Sequence, residues 1–328
     1  MPPPQNVPLS GGAASAVTIR QFSDLPRYSN YYGPTAVAAG AGGIWVADVI
    51  DQDYGENVIV QIGMAGKAEH DYYYSGPTSE GASFQDVALG PDGALWITDE
   101  YNQQIVRMTT DGSFTNFPVG GFRSPQSIAS GPGKALWFTL TGTGDAIGTI
   151  TTAGKIQTYS LKSLAWDLVE GSDGAIWFTE PEQDAIGRIT RRGAITEYSK
   201  GITAGSMPFS IAAGPDGALW FTENAGGRIG RITTAGNVTE YSRGITPGEE
   251  PFDLTSGTDG AVWFTENVPN GSYGYREAKI GRITTSGRVT EYSNGLTSNA
   301  GVTAIVSGTG PKIWFAESDT DRTGRLRF

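Results

Sequence analysis

Short apolar runs of four to six residues, separated by glycine-containing turns, recur along most of this chain. Residues 208–213 (PFSIAA), 218–223 (ALWFTE), 228–233 (RIGRIT) and 237–242 (NVTEYS) show the pattern, with GPDG and TAG turns between them. Runs of this length that alternate, or stay apolar and stop at a glycine turn, predict antiparallel hairpins. No run has the 3.6-residue spacing of an amphipathic helix. A tryptophan preceded by a hydrophobic residue marks the second run of each unit. It stands at Trp45, Trp96, Trp137, Trp177, Trp220, Trp263 and Trp314, at intervals of 51, 41, 40, 43, 43 and 51 residues. Four strands per unit, repeated seven times at this period, describe the blades of a β-propeller.

The ends of the chain fit the same scheme. The last unit stops at TGRLRF, after its third strand, and residues 16–23 (AVTIRQFS) resemble the missing fourth. The expected fold is therefore all-β: a seven-bladed β-propeller with four antiparallel strands per blade, closed by an N-terminal strand that completes the last blade. Closure of this kind removes exposed sheet edges. Residues 16–328 form one domain in this reading, and residues 1–15, rich in Pro, Gly, Ala and Ser, read as a disordered leader or linker.

Composition narrows the partners. Forty-seven glycines and 18 prolines, spread between apolar runs, mean many turns. The net charge is −11, and the 23 Lys and Arg residues are scattered instead of clustered. Nucleic acid, which needs a basic surface, is not an expected partner. No apolar stretch reaches bilayer-spanning length, so no membrane is expected either. The absence of cysteine excludes disulfides, thiolate ligands and thiol nucleophiles. We expect a monomer in the periplasm or outside the cell, with a cytoplasmic location as the alternative.

Much of the repeated phrase reads as scaffold. The tryptophans should pack between blades. Gly187, Gly230 and Gly281 should leave room for a large neighbour, and Arg188, Arg231 and Arg282 should pair with acids or carbonyls. The unit WFTEN…IGRITTAG…TEY also resembles the virginiamycin B lyase (streptogramin lyase) family of seven-bladed propellers, over residues 17–328. That resemblance implies enzymes that open the ester ring of a cyclic depsipeptide antibiotic by elimination. They use histidines of a PH-x-I motif at the start of first strands, glutamates near the ends of second strands, and Mg2+. Here the motif position holds Thr35, Gln85, Gln126, Trp166, Phe209, Phe252 and Thr303, none of them histidine. The segment GEEPFDL keeps Glu250 and Pro251 but has Phe252 where the family's pattern has His. Phenylalanine moves no proton, and a positioned acid or base contributes about 10²–10⁴-fold. The single histidine, His70, falls in an outermost strand. Streptogramin lyase activity by the family's route is therefore not expected.

Two sets of side chains are expected at the mouth of the ring. One is the motif set, with Trp166, Phe209 and Phe252 on consecutive blades. The other is the position three residues after each tryptophan: Asp48, Asp99, Leu140, Glu180, Glu223, Glu266 and Glu317. Acids crowded around one opening raise one another's pKa unless a cation intervenes. They point to Mg2+ or Ca2+, or to a cationic ligand group on the aromatic faces; the alternative is that each acid simply serves its own blade. Two long loops should rise over the same face, one with Asp48, Asp51 and Asp53, which loosely resembles a calcium loop, and one with Tyr273 and Tyr275.

Two functions follow. One is a binding module for a small molecule, sugar or peptide, using Gln85, Gln126, Trp166, Phe209, Phe252, Thr303, Glu180, Glu223, Tyr273 and Tyr275. The other is a metal-assisted lyase or hydrolase with Glu250, Glu266 or Glu317 as base.

Overall fold

The computed structural model describes residues 17–22, 33–40, 43–49, 57–77, 81–269, 275–297, 299–320 and 322–328. Seven four-stranded antiparallel sheets are arranged as the blades of a propeller. Blade 5 is typical: strands Pro208–Ala213, Leu219–Glu223, Arg228–Ile232 and Val238–Tyr241 pair in chain order. Each agrees with the expected segment to within a residue or two. Every first strand touches the first strand of the next blade, and that of blade 7 (Val302–Ser307) touches that of blade 1 (Pro34–Gly40). The ring is thus closed. The closing strand is Thr18–Phe22, which pairs antiparallel with the last strand, Arg322–Arg327. The proposed leader, residues 1–15, lies outside the described residues.

The core sits between blades. Trp220 of blade 5 is buried among Leu254, Val262 and Ile283 of blade 6, while Phe221, one residue on, joins Trp177 and Ile186 of blade 4. Successive residues of a strand face opposite sides of a sheet, so one second strand fills both neighbouring interfaces. Each outer edge is fixed by a small polar cycle. Asp216 of the GPDG turn accepts bonds from Trp220 Nε1 (3.1 Å) and Arg231 Nε (2.7 Å), and the Arg231 guanidinium lies 5.8 Å above the Trp220 ring. The same three roles fall to Asp92, Trp96 and Arg107, to Asp173, Trp177 and Arg188, and to Asp259, Trp263 and Arg282.

The third-strand glycines accept the phenylalanine that follows each tryptophan. A Cβ on Gly230 would lie 2.1 Å from the Phe221 ring, and Gly187 and Gly281 stand in the same relation to Phe178 and Phe264. Overpacking a filled core costs about 1–3 kcal/mol. Gly230→Val should therefore lower the urea midpoint by about that much in free energy, and pairing it with Phe221→Leu should recover part of the loss. An unchanged midpoint would contradict this packing.

Candidate functional site

A cavity of about 960 Å3 occupies the centre of the ring. Its position raises a problem of geometry. In a propeller the sheet faces look at neighbouring blades and only the edge of each first strand looks at the channel, so a regular strand aims no side chain there. The chain solves this with a β-bulge near the start of the first strand. Pairing with the second strand skips between Phe84 and Val87, Pro125 and Ile128, Pro208 and Ile211, and Pro251 and Leu254, with shorter skips at Thr35 and Thr303. The skipped residues are thrown inward, as bulges re-aim side chains. Thr35, Gln85, Gln126, Trp166, Phe209, Phe252 and Thr303 all line the cavity.

In blades 2 to 6 a buried threonine two residues after the tryptophan holds the bulge, while blades 1 and 7 have Ala47 and Ala316 there. Thr222 Oγ accepts the Ser210 N–H at 2.9 Å and donates to the Phe252 carbonyl of the next blade at 3.0 Å. Thr98, Thr139 and Thr179 make the same two bonds, to Asp86 and Gln126, to Ser127 and Trp166, and to Asp167 and Phe209. Neighbouring bulges are thereby linked to one another. The aromatic side chains they present form a continuous wall: the Trp166 and Phe209 rings are 5.1 Å apart, and Phe209 and Phe252 4.7 Å.

The second residue of each bulge was not singled out from the sequence. Around the ring it reads Ala36, Asp86, Ser127, Asp167, Ser210, Asp253 and Ala304, and all seven line the cavity. Ser127 Oγ lies within hydrogen-bond distance of Asp86 and Asp167, and Ser210 Oγ of Asp167 and Asp253. Burial, and then the charge of Asp167, push the Asp86 and Asp253 carboxyls up to about 7; burial also raises Asp167. The signal was available one column beside the motif position, where aspartate and serine alternate over five blades.

The acids that follow the tryptophans by three residues stand elsewhere. Glu180, Glu223, Glu266 and Glu317 are buried and none lines the cavity. They belong to second strands, one strand removed from the channel, and their side chains turn into the space between blades. Glu180 is bonded by Ser163, Glu223 has Arg228 Nη1 at 3.7 Å, and Glu317 accepts bonds from Gln21 and Thr320. Asp99 accepts from Asn102 and Gln104. The expected acidic ring around the mouth is therefore replaced by separate acidic sites within blades.

The densest of these is in blade 6. Glu249, Glu266 and Glu291 bring carboxylate oxygens within 4.8 Å of one another, a spacing that fits a hard cation. Lys279 Nζ already stands there, 2.6 Å from Glu249 and 3.0 Å from Glu291. Neither oxygen of Glu266 has a hydrogen-bond partner among the described residues. Burial, followed by the charges of Glu291 and Glu249, pushes its carboxyl up to about 9.

The remaining candidates are dispersed. Glu250 is half-buried opposite Asn267 and off the cavity lining, with its carboxyl raised by burial. Tyr275 packs against Gly301, and its N–H donates to Asp319, a residue of the cavity wall. The backbone of Asp48 lies one residue before the end of the second strand of blade 1, opposite Pro34. Asp51, Asp53 and Tyr273 lie outside the described residues. His70 is exposed on the outermost strand of blade 1.

Closed ring and central cavity together define a seven-bladed propeller whose cavity wall is built from first-strand bulges. Comparison with known proteins places it further. The family model of the virginiamycin B lyase family matches residues 20–272, and the chain belongs to that family. Among solved structures it is similar to a streptogramin B lyase, 30% identical over 95% of this chain and 97% of that one, with a TM-score of 0.79. The virginiamycin B lyase from Staphylococcus aureus is 32% identical over 95% and 100%, with a TM-score of 0.80. A catalytically inactive histidine-to-alanine variant of that enzyme, with quinupristin, matches at 31% identity, over the same shares and with the same TM-score. The extracellular domain of a hybrid two-component system from B. thetaiotaomicron shares the fold at 14% identity, with a TM-score of 0.70 over 95% of this chain and 42% of that one. No curated protein matches the chain. Among the described residues no helix is long and apolar enough to cross a membrane.

Two outcomes are expected here. Thr222→Val keeps the shape but strands the Ser210 N–H and the Phe252 carbonyl, and should cost about 1–3 kcal/mol in chemical denaturation; a neutral result would remove the threonine link from the account. Glu266 is neutral when folded and ionised when unfolded between about 4.5 and 9, so its contribution to stability is full at low pH and falls as pH rises. Glu266→Gln should accordingly raise Tm by at least about 2 °C at pH 8 and by nothing at pH 4. A gain equal at both pH values would contradict a neutral Glu266.

Proposed function

We propose that this protein is a ligand-binding module that receives a small molecule, sugar or peptide in the central cavity and lacks streptogramin lyase activity. One observation carries the reading. All seven motif-position side chains face the cavity, three form a contiguous aromatic wall, and none is a histidine. The related Staphylococcus aureus enzyme is inactive when a histidine is replaced by alanine. Here the whole set lacks histidine, and the GEEPFDL segment carries Phe252. Shape, apolar wall and polar fringe suit binding, while the family's acid–base chemistry has no residue to perform it. The module works as a monomer in the periplasm or outside the cell.

A second reading, a metal-assisted lyase or hydrolase, draws on the Glu249–Glu266–Glu291 cluster. Glu266 would be its base or ligand, and Mg2+ would polarise the reacting oxygen. Lys279 within the cluster, and the place of Glu317 in the next blade, favour the binding reading.

Glycan and peptide arrays, with virginiamycin B as a further candidate, test both. Virginiamycin B should remain intact with and without Mg2+, as followed by mass spectrometry. For any ligand found, Phe209→Ala with Phe252→Ala should weaken Kd at least tenfold, about 1.4 kcal/mol. Unchanged affinity, or ring opening of virginiamycin B, would overturn the proposal.

A further inference from the structure

We propose that the cavity takes a ligand cation, an ammonium or guanidinium group, and that this group enters by displacing a proton stored in the girdle Asp86–Ser127–Asp167–Ser210–Asp253. The inference rests on the binding reading and names the chemical class of the ligand.

It begins with a count of protons. Ser127 Oγ lies 3.0 Å from Asp86 Oδ2 and 2.7 Å from Asp167 Oδ1. Ser210 Oγ lies 2.8 Å from Asp167 Oδ2 and 2.8 Å from Asp253 Oδ1. Each of these four oxygen–oxygen contacts has hydrogen-bond length and needs its own proton. The two serine hydroxyls supply one apiece. The other two must reside on carboxyl groups.

Their placement follows from the donors. Each aspartate accepts two backbone N–H groups, Asp86 those of Val87 and Ile128, Asp167 those of Leu168 and Ile211, and Asp253 those of Leu254 and Ile305, but only Asp167, at the centre, has both serine hydroxyls beside it. It is the anion. Asp86 and Asp253 then hold the protons at the two ends. Asp86 donates to Ser127 and Asp253 to Ser210, and each serine donates onward to Asp167. The raised carboxyls of Asp86 and Asp253, near 7, agree with this order. The charged groups that face them are each other and Asp319 at the cavity wall. Arg123, Glu170 and Glu250 lie on the same ring of strands but do not line the cavity.

Two further features point to a ligand. The Gln126 side chain is only 8% exposed, lines the cavity, and its amide has no hydrogen-bond partner among the described residues. Open to the cavity, that amide is free to bond a ligand. Among the described cavity-lining residues there is no lysine, arginine or histidine, so none of them supplies the cation. Trp166, Phe209 and Phe252, each next in sequence to a girdle residue, offer the ring faces a cation prefers. When the ammonium enters, its charge favours ionisation of Asp86 or Asp253, and the proton released passes to solvent. The net charge inside the cavity is unchanged by the exchange.

Calorimetry on the full chain tests this, with phenethylamine as probe and 2-phenylethanol as its uncharged counterpart. The amine should bind on the order of tenfold more tightly at pH 7.5 than at pH 5.5, as expected for release of one proton. Buffers of different ionisation enthalpy should register that proton. The alcohol should show no pH dependence, and Asp86→Asn with Asp253→Asn should abolish that of the amine. In the free protein, carbon-13 spectra of the aspartate carboxyls should show two groups titrating near 7. Amine binding that ignores pH, a preference for the alcohol, no amine binding, or three carboxyls titrating in the ordinary range would each overturn the proposal. If an uncharged sugar or peptide fills the cavity instead, the cation assignment falls and the binding module stands. If no ligand class binds at all, the binding reading falls with it.

Discussion

The site depends on one constraint: a propeller blade cannot show a side chain to the channel without breaking its own strand register. The break is a bulge in the first strand, and a bulge leaves backbone groups that must be satisfied when buried. In blades 2 to 5 the buried threonine two residues after the tryptophan meets that need, accepting an N–H from its own blade and donating to a carbonyl of the next. The link is local in sequence yet joins neighbouring bulges in space. From blade 2 to blade 6, the linking of neighbouring bulges and the presentation of the cavity wall are therefore consequences of the same hydroxyl groups.

This explains how the family's scaffold carries a different set of cavity residues. Tryptophan, threonine, third-strand glycine and the Asp–Arg pair recur because each completes a blade interface. The two inward residues of the bulge enter those interactions through their backbone alone, so their side chains vary from blade to blade while the threonine bonds are kept. Histidine is absent there, an aromatic wall spans three blades, and carboxyl and hydroxyl groups alternate beneath it. Chain membership in the virginiamycin B lyase family describes the ring, while the cavity describes this protein.

Blade number, strand boundaries and the closing strand were legible because turn glycines and period-two runs are dictated by the sequence itself. The motif-position residues were legible too, since a fixed distance from Trp220 or Trp263 fixes the place in the blade. The glutamates misled for the opposite reason. Glu223 and Glu266 recur at the ends of second strands, but the strand's alternation turns them between blades, where Arg228 and Lys279 stand. Recurrence in nearly every blade was the mark of an interior role. The girdle went unnoticed because Asp86, Asp167 and Asp253 look like ordinary polar residues until the bulge direction is known.

The account is tested most directly by native-state hydrogen exchange at the amides of Asp86, Ser127, Asp167, Ser210 and Asp253. If threonine hydroxyls hold the bulges as one unit, these five should exchange only through global unfolding, as slowly as the amides of Trp220 and Phe221. Exchange as fast as in the exposed GPDG turn would show that the bulges open one by one, and would contradict a preformed cavity wall.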